Sequence, residues 1–403
     1  MRNEQGWYET GLPWKGDRSA LPNNENGSLQ RLRTLTRKLQ RAEQTAEYDS
    51  IIKEQKEQGI IESADQPAQG VEFYIPHKPV VRENAESTKM CIVYDASARA
   101  HPTAPSLNDC LNAGPPLQNK LWDVLVRQRS YPIAVTGDLK KAFLQVQIRE
   151  LDRDALRFHW RKDEHSALEI LRFTRALFGL TRSPSLLGGV LECHLGTWES
   201  KMPELVAEIR KNLYVDDLLS GGVTVQEAQY RKEQAIEIFD DAGFTLHEWH
   251  SNVPIMEEET KKKDTDLSFA KQQLQQSGNS ETSLLGLGWD KGRDELTVKF
   301  PTEEVQSTKR GVLSKLAKVY DPLGLVSPVT LEGKVIFRDV CDKKQAWDAK
   351  LAGPLLRRWQ KWEQSLPTEV AVPRSITSFQ EPLQDVELHS FGDGSKLGME
   401  AAV

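Results

Sequence analysis

The feature that most constrains this chain is a set of acidic residues embedded in apolar sequence. Asp138 follows an apolar run that begins at Ile133, and the adjacent Asp216 and Asp217 are flanked on both sides by apolar residues. A carboxylate beside a buried strand is costly unless its charge is compensated, and a bound cation is a common compensation. We therefore expect two strands, distant in sequence, to bring these three carboxylates to one site.

The three candidate ligands are all oxygen donors, which suits Mg²⁺, a hard ion that binds carboxylates together with substrate phosphates. Two such ions about 3.5–4 Å apart stabilise the attacking and leaving oxygens of a phosphoryl displacement. The alternative is a surface turn, as we expect for the second Asp-Asp pair, Asp240-Asp241, which ends a helical stretch before Gly243. The apolar flanks of Asp216 and Asp217 favour the metal site, with two Mg²⁺ ions or Mn²⁺ as a substitute.

The composition excludes several other classes of protein. The 403 residues carry 53 Lys and Arg against 59 Asp and Glu, so no global basic field marks a nucleic-acid binder, although a local basic groove is compatible with this balance. The four cysteines form no C-x-x-C pair, which argues against a zinc module and against a disulfide framework. The sequence has no run of about eighteen apolar residues. We therefore expect a soluble intracellular protein, in the cytoplasm.

Local patterns predict a mixture of helices and strands. Leucines at helical spacing from Leu29 to Leu39 predict a helix whose basic face is either solvated or a nucleic-acid contact. The polar segment 251–282 is typical of a mobile insertion. The further predicted elements are a helix at 48–58, strands at 71–75, 80–81, 91–94 and 133–136, a helix at 227–242, a strand pair at 284–289 and 296–300, a helix at 309–319, an amphipathic helix at 347–362 and a strand at 386–391.

These motifs together resemble the reverse transcriptases of Bel/Pao-class LTR retrotransposons. The box from Tyr214 to Asp217 is similar to the catalytic hairpin of that family, and Asp138 followed by Phe143 is similar to its first metal-binding motif. The resemblance continues in chain order through the segments 11–14, 74–77, 94–97, 107–111, 177–184, 242–244, 249–252, 285–289 and 319–324. It implies an RNA-directed DNA polymerase with an RNA template, a DNA primer or template and deoxynucleoside triphosphates as partners.

The resemblance also implies roles for individual residues. Asp138, Asp216 and Asp217 would be catalytic and would bind the two metal ions. Phe143 would close against a 2′-hydroxyl and so select deoxynucleotides, and Gly179 would let the backbone approach the substrate closely. The residues expected to bind the nucleotide are Leu139, Phe143, Phe178, Gly179, Lys89 and Arg82.

The fold implied by the resemblance is α+β: a right-hand polymerase with fingers, a palm built on an antiparallel sheet and a thumb, followed by the start of a ribonuclease H-like domain. The expected divisions are an N-terminal extension with fingers helices (1–70), a fingers and palm core (71–250), a flexible insertion (251–282), the end of the palm with thumb and connection (283–385) and the ribonuclease H-like start (386–403).

Asp393 would be the first metal ligand of that ribonuclease H-like domain. We expect the other ligands to follow Val403, so that this chain would have no ribonuclease H activity of its own. The ribonuclease H and integrase domains of the same polyprotein are expected downstream, and the expressed protein would enter a virus-like particle.

Two positions depart from the family pattern. Cys91 stands where an arginine that binds the triphosphate is expected, so Lys89 or Arg82 would have to compensate as point charges. Glu248 stands where a basic residue would protonate pyrophosphate, and His247 would have to serve as the general acid. Two hypotheses stay open: an active polymerase, and a catalytically impaired relic copy that retains the fold and nucleic-acid binding.

An aspartic peptidase segment of the same kind of polyprotein is an alternative from another class. Its chemistry needs an Asp-Thr-Gly or Asp-Ser-Gly loop supplied twice, so that two carboxylates share one proton. The sequence contains neither tripeptide. An integrase is also disfavoured, because its His/Cys zinc set is missing.

Overall fold

The chain folds as a mixed α/β protein whose strands form several small sheets. The structure, a computed structural model, describes residues 2–3, 6–16, 18, 21–81, 90–163, 165–257, 281–376, 387, 389–394 and 399–402. The N-terminal elements are β1 (Glu9–Thr10), α1 (Glu25–Arg41), α2 (Thr45–Glu57), β2 (Ile61–Ser63), β3 (His77–Val81), β4 (Met90–Tyr94), α3 (Leu121–Gln128), β5 (Ile133–Leu139), β6 (Gln147–Ile148), α4 (Glu150–Arg153), β7 (Arg157–Trp160), β8 (Glu169–Phe173) and α5 (Ser183–Trp198). The C-terminal elements are α6 (Pro203–Asn212), β9 (Leu213–Tyr214), β10 (Asp217–Gly222), α7 (Val225–Asp241), β11 (Leu246–Ser251), β12 (Glu281–Leu284), β13 (Leu287–Asp290), β14 (Glu295–Lys299), α8 (Lys309–Ala317), α9 (Ser327–Asp342), α10 (Gly353–Ser365), β15 (Glu369–Pro373), β16 (Phe391–Gly394) and β17 (Met399–Ala402).

The first two helices follow the predicted pattern. Leu32, Leu35 and Leu39 of α1 are buried in the main core, and the five basic residues of the helix are exposed, against the single acid Glu25. Helix α2 ends just before Gly59, whose φ of +64° is the left-handed conformation that commonly stops a helix. The basic surface of α1 is therefore a real feature of the folded chain.

An antiparallel four-stranded sheet, in the order β11-β5-β10-β9, occupies the centre of the chain. Its inner strand β5 is buried along nearly its whole length, as the apolar run from Ile133 predicts. Asp138, near the end of β5, lies opposite Asp217 of β10 on one side and His247 of β11 on the other. The sheet thus brings residues that are far apart in sequence to one edge.

Smaller sheets flank this central one. Strands β3 and β4 form a hairpin, and β2, β8 and β7 form a three-stranded sheet. The predicted strand at 71–75 is wrong, because that segment makes only an isolated bridge between Tyr74 and Arg157. Its N–H groups at Phe73 and Ile75 instead bond to the carbonyls of Asp154 and Arg157, and both apolar side chains are fully buried.

The C-terminal part contains a second antiparallel sheet, β12-β13-β14-β15, and three helices that share a small core. Trp359 and Trp362 of α10 lie in that core, as predicted. The predicted start of this helix is wrong: α10 begins at Gly353, with a proline in its first turn, where a missing N–H leaves no helical bond unmade. Trp347 precedes the helix and is 44% exposed rather than buried.

Two other segments differ in extent from the sequence patterns. The expected insertion 251–282 lies for the most part outside the described residues, and its ends belong to strands, with Ser251 in β11 and Glu281 in β12. The strand expected at 386–391 begins only at Phe391, where β16 pairs with β17. Within the described ranges, no helix has both the length and the apolar character needed to cross a membrane.

Candidate nucleotidyl-transfer site

The three predicted aspartates meet where β5 ends and the β9–β10 hairpin turns. Tyr214 pairs with Asp217, so Val215 and Asp216 form a two-residue loop. The Leu139 N–H donates to the Asp216 carbonyl at 2.9 Å, which ties this loop to the end of β5. Val215 has a φ of +59°, an unfavourable conformation for a β-branched residue that is tolerated where a function requires the turn. The hairpin therefore holds its acids against Asp138 at a cost in backbone strain.

The electrostatics of the site show that the acids are close enough to repel one another. Burial raises the pKa of Asp217 to about 7, and the negative charges of Asp216 and Asp138 raise it further in the same direction. The pKa of Asp216 is also raised, by burial first and then by Asp138. Like charges held together in a half-buried position are unfavourable unless a cation compensates them.

The donor set suits a hard divalent cation, since carboxylate oxygens are the ligands that Mg²⁺ prefers. In the described part of the chain, no group of three or more His, Cys, Asp or Glu side chains is positioned to hold a metal ion by itself. This agrees with the mutual repulsion of the acids, and Mg²⁺ sites of this type use one or two carboxylates and take further ligands from substrate phosphates. Asp138, Asp216 and Asp217 thus fit the ion as part of a substrate-completed site.

His247 contacts this cluster in a way that the sequence did not indicate. Its Nε2 lies 3.0 Å from Oδ2 of Asp138, and because a carboxylate only accepts hydrogen bonds, the imidazole donates. From the sequence, His247 was considered only as a general acid. The pairing of β11 with β5 that creates this contact has no local sequence signal.

The residues expected to bind the nucleotide lie next to the aspartates. Leu139 is buried, and Phe143 stands in the short 3₁₀ turn that follows β5. The rings of Phe143 and Phe178 meet edge to face at 4.7 Å, with Phe143 buried and Phe178 58% exposed. Phe178 therefore presents an apolar face to solvent beside the acidic site, which a sugar or base could cover.

The loop that carries Phe178 is fixed by Asn108. The Asn108 side chain donates to the Gly179 carbonyl at 3.0 Å and accepts from the Thr181 N–H at 3.0 Å. Gly179 has a φ of +107°, and a Cβ there would lie 2.2 Å from the Tyr94 carbonyl oxygen. Only glycine satisfies both conditions.

Gly179→Ala should destabilise the fold by about 3 kcal/mol, because a backbone clash and a strained φ act together. Urea denaturation measures this loss. The matched control is Gly189→Ala in α5, where a Cβ would meet only a leucine methyl at 3.8 Å. That change should stabilise the helix by up to about 1 kcal/mol. Equal effects at the two glycines would contradict the described loop.

Several predicted residues are not brought to the site by the described structure. Lys89 and Arg82 lie outside the described residues. Cys91 lies in β4 opposite Val80, in the strand where the arginine was expected. Asp393 lies in β16, in the C-terminal hairpin, and takes no part in the central sheet.

The comparisons with known proteins agree with the class that these motifs indicate. Residues 308–403 match a family model described as the Pao retrotransposon-like RNaseH-like domain. The Gag-Pol polyprotein of feline leukemia virus is 28% identical over 144 residues, which is 36% of this chain and 7% of that polyprotein. The chain therefore spans only a small part of this relative's length.

Two solved structures also align with the chain. A foamy viral protease-reverse transcriptase in complex with an RNA/DNA hybrid aligns over 80% of this chain and 36% of its own, with a TM-score of 0.48 and 16% identity. A mutant of the prototype foamy virus protease-reverse transcriptase covers 49% of this chain and 22% of its own, with a TM-score of 0.35 and 20% identity. At these TM-scores the alignments do not by themselves establish a shared fold.

The sequence matches relate this chain to the pol polyproteins of retroelements. Within that class, the match of the C-terminal residues is to the Pao retrotransposon type. The predicted relationship is thereby confirmed, as is a ribonuclease H-like region at the C-terminus. The family match begins at residue 308, well before the predicted division at 386, and the boundaries of the other divisions stay predictions.

Proposed function

We propose that this chain is an RNA-directed DNA polymerase region of a retrotransposon pol polyprotein. The observation that carries the proposal is the meeting of Asp138, Asp216 and Asp217 at one edge of the central sheet, with pKa values raised by burial and by one another. An arrangement of acids that is unfavourable alone becomes favourable around divalent cations and a triphosphate.

Each residue of the site has a distinct role in this proposal. Asp138, Asp216 and Asp217 hold two Mg²⁺ ions, for which Mn²⁺ is a substitute, and these ions stabilise the charge on the attacking and leaving oxygens when bound. Phe143 and Phe178 form the apolar wall against the sugar, and the Leu139 and Gly179 backbones border the nucleotide. Lys89 and Arg82 are proposed as point charges for the triphosphate.

The proposed right-hand form assigns the central sheet with α3, α6 and α7 to the palm. The hairpin β3–β4, the sheet β2-β8-β7 and helices α1 and α2 form the fingers, and α8, α9 and α10 form the thumb. In this arrangement the acids lie on the palm, with the fingers and thumb on either side of a bound primer and template. The ribonuclease H and integrase parts of the polyprotein would follow downstream, and the site of action would be intracellular.

A basic groove supports a nucleic-acid partner. It has a volume of about 890 Å³, lies between α1 and the β3–β4 hairpin, and has Arg31, Lys38 and Lys78 on its walls. At one end it reaches Tyr94, whose carbonyl lies against Gly179 of the nucleotide loop. The groove is thus continuous with the candidate active site, and we assign it to the single-stranded part of the template.

Reversing two charges in this groove should weaken binding of single-stranded RNA. Lys38→Glu with Lys78→Glu removes two phosphate contacts, so the slope of log affinity against log salt should fall by about 0.7 for each contact. Fluorescence anisotropy at several salt concentrations measures the slope. Lys361→Glu, an exposed lysine of α10 away from the groove, is the control and should leave the slope of the groove unchanged. An unchanged slope in the double variant would remove the groove from the account.

A catalytically impaired copy is the second candidate, and the position of Cys91 favours it. Cys91 is only partly buried, on the fingers hairpin, where it offers no positive charge to a triphosphate. Cys91→Arg should raise nucleotide affinity about tenfold, since a charge-assisted bond contributes roughly 1.5–3 kcal/mol. Steady-state KM values for a deoxynucleotide measure this gain. No change in KM would count against the impaired-copy hypothesis.

Template-dependent primer extension tests the proposed function. The wild-type protein should extend a DNA primer on an RNA template and on a DNA template with deoxynucleotides and Mg²⁺, and should add nothing without a template. Extension on DNA alone would restrict the proposal to a DNA-directed polymerase. No extension by protein that is folded by circular dichroism would favour the impaired copy.

A further inference from the structure

We infer that His247 is a positioning residue, which fixes the Asp138 carboxylate in the orientation that binds the catalytic cation. This inference rests on the proposed function. It starts from the hydrogen bond of 3.0 Å between His247 Nε2 and Asp138 Oδ2. The Asp138 side chain is 36% exposed and His247 only 18%, so the less mobile partner restrains the more mobile one. Because the bond engages Oδ2, the other oxygen of Asp138 stays available to a cation.

A β-bulge in β11 gives His247 this position. His247 pairs with Asp138 and His250 pairs with Thr136, so two residues of β11 stand opposite the single residue Gly137 of β5. In a regular strand, residues 247 and 249 would share a face. The extra residue instead turns His247 toward Asp138 and Trp249 toward Gly137, and bulges beside active sites commonly re-aim side chains in this manner.

The bulge is held in place from below. A Cβ on Gly137 would lie 2.9 Å from the Trp249 ring, so the indole rests directly on the glycine. The buried Lys232 of α7 covers the same ring at 5.1 Å, and its ammonium donates to the Met256 carbonyl at 2.6 Å. Glu248, between the two, takes a φ of +50°, which is costly for a residue with a side chain. Such a construction around one histidine is more than strand pairing alone requires.

The expected consequence lies in cation affinity. A carboxylate that is already oriented loses less conformational freedom when the cation binds. Removal of a hydrogen-bond partner from a ligating group typically weakens metal affinity by about 10–100-fold. The rate at saturating cation should change far less, because His247 does not contact the reacting atoms in this assignment.

The test measures Mn²⁺ binding directly, from the electron paramagnetic resonance signal of free Mn²⁺, in the complex with primer, template and a non-extendable deoxynucleotide. His247→Leu and His247→Asn, which cannot reach Asp138, should each weaken binding by about 10–100-fold. His247→Gln retains a donor at a similar distance and should restore most of the affinity. His250→Leu, on the same strand, is the control and should bind Mn²⁺ as the wild type does. Circular dichroism verifies that each variant is folded.

The possible failures are distinguishable. If the wild type binds Mn²⁺ and the Leu, Asn and Gln variants bind it equally well, the inference is overturned while the proposed function stands. If Gln is as weak as Leu, the imidazole acts through something other than its donated hydrogen bond, and the inference is also overturned. If the wild-type complex binds no Mn²⁺, the proposed function fails and the inference fails with it.

Discussion

Asp217→Asn should abolish nucleotide incorporation and, at alkaline pH, stabilise the fold. The loss of activity follows from removing one carboxylate that holds the cations, whose contribution of several kcal/mol to the transition state corresponds to at least about a thousandfold in rate. The gain in stability follows from removing a charge whose pKa is raised to about 7 by burial and by the neighbouring Asp216 and Asp138. A residue kept for packing would show the opposite pattern.

The pH dependence of this effect has a definite sign. The folded pKa of Asp217 is about 7 and the ordinary value is 3.8, so the folded chain retains a proton that the unfolded chain has lost between these values. The free energy of unfolding of the wild type therefore falls as pH rises through this window, and the cost is complete above it. Asparagine removes this fall.

The measurement combines urea denaturation near pH 4 and near pH 8 with a primer-extension assay at the higher pH. The stability difference between Asp217→Asn and wild type should be small near pH 4 and favour the variant near pH 8. Asp240→Asn makes the same chemical change at an exposed position of the second Asp-Asp pair, and should alter neither property. A less stable Asp217→Asn protein near pH 8 would contradict the electrostatic account of the site.

Arg374→Leu should have the largest effect on stability of any single change to a charged side chain discussed for this chain. The Arg374 side chain is fully buried and donates two bonds to Asp294, at 2.6 and 2.7 Å. It also donates to the carbonyls of Gln128, Tyr131 and Pro132, in the segment that leads from α3 into β5. Removal of one partner from a buried ion pair costs about 3–5 kcal/mol, because the other charge stays buried without its counter-ion.

The physical reason for so large an effect is that Arg374 joins two sheets. It follows β15 of the C-terminal sheet and holds the entrance to β5, the strand that carries Asp138. Urea denaturation should show the loss of stability, and Arg293→Leu is the matched control, since its side chain is 78% exposed and its ion pair is long at 3.9 Å. The control should change stability by less than about 0.5 kcal/mol.

A double variant, Arg374→Leu with Asp294→Leu, separates the pair from its surroundings. It should lose less stability than the sum of the two single variants, because neither charge is left buried alone. Additive losses, or equal effects of Arg374→Leu and Arg293→Leu, would show that the buried pair does not join the sheets as described.

The sequence predicted the site better than its surroundings. The apolar flanks of Asp216 and Asp217 and the buried run before Asp138 are local signals, and the strands that carry them form as those signals indicate. The contact of His247 with Asp138 was not predictable, since it depends on a pairing between distant strands and on a bulge that shifts the register. Alternation along β11 alone would have placed His247 on the same face as Trp249.

The C-terminal differences have a similar origin. Trp347 continued an apparently helical spacing, but the chain from there to Gly353 is held by other contacts: Lys309 and Arg310 lie over the Trp347 ring, at 4.7 and 5.7 Å. Arg374 has the sequence context of an exposed residue after a strand, and only the tertiary structure buries it. Burial of a charge by distant carbonyls leaves no periodic pattern in the sequence.

Single-nucleotide incorporation opposite an RNA template tests the central claim most directly, with wild type, Asp138→Asn and Asp240→Asn prepared alike and verified as folded. The account predicts that wild type and Asp240→Asn add the complementary deoxynucleotide only when Mg²⁺ or Mn²⁺ is present, and that Asp138→Asn adds it at least about a thousandfold more slowly. Incorporation by Asp138→Asn at the wild-type rate, or none by the folded wild type with either cation, would contradict the account.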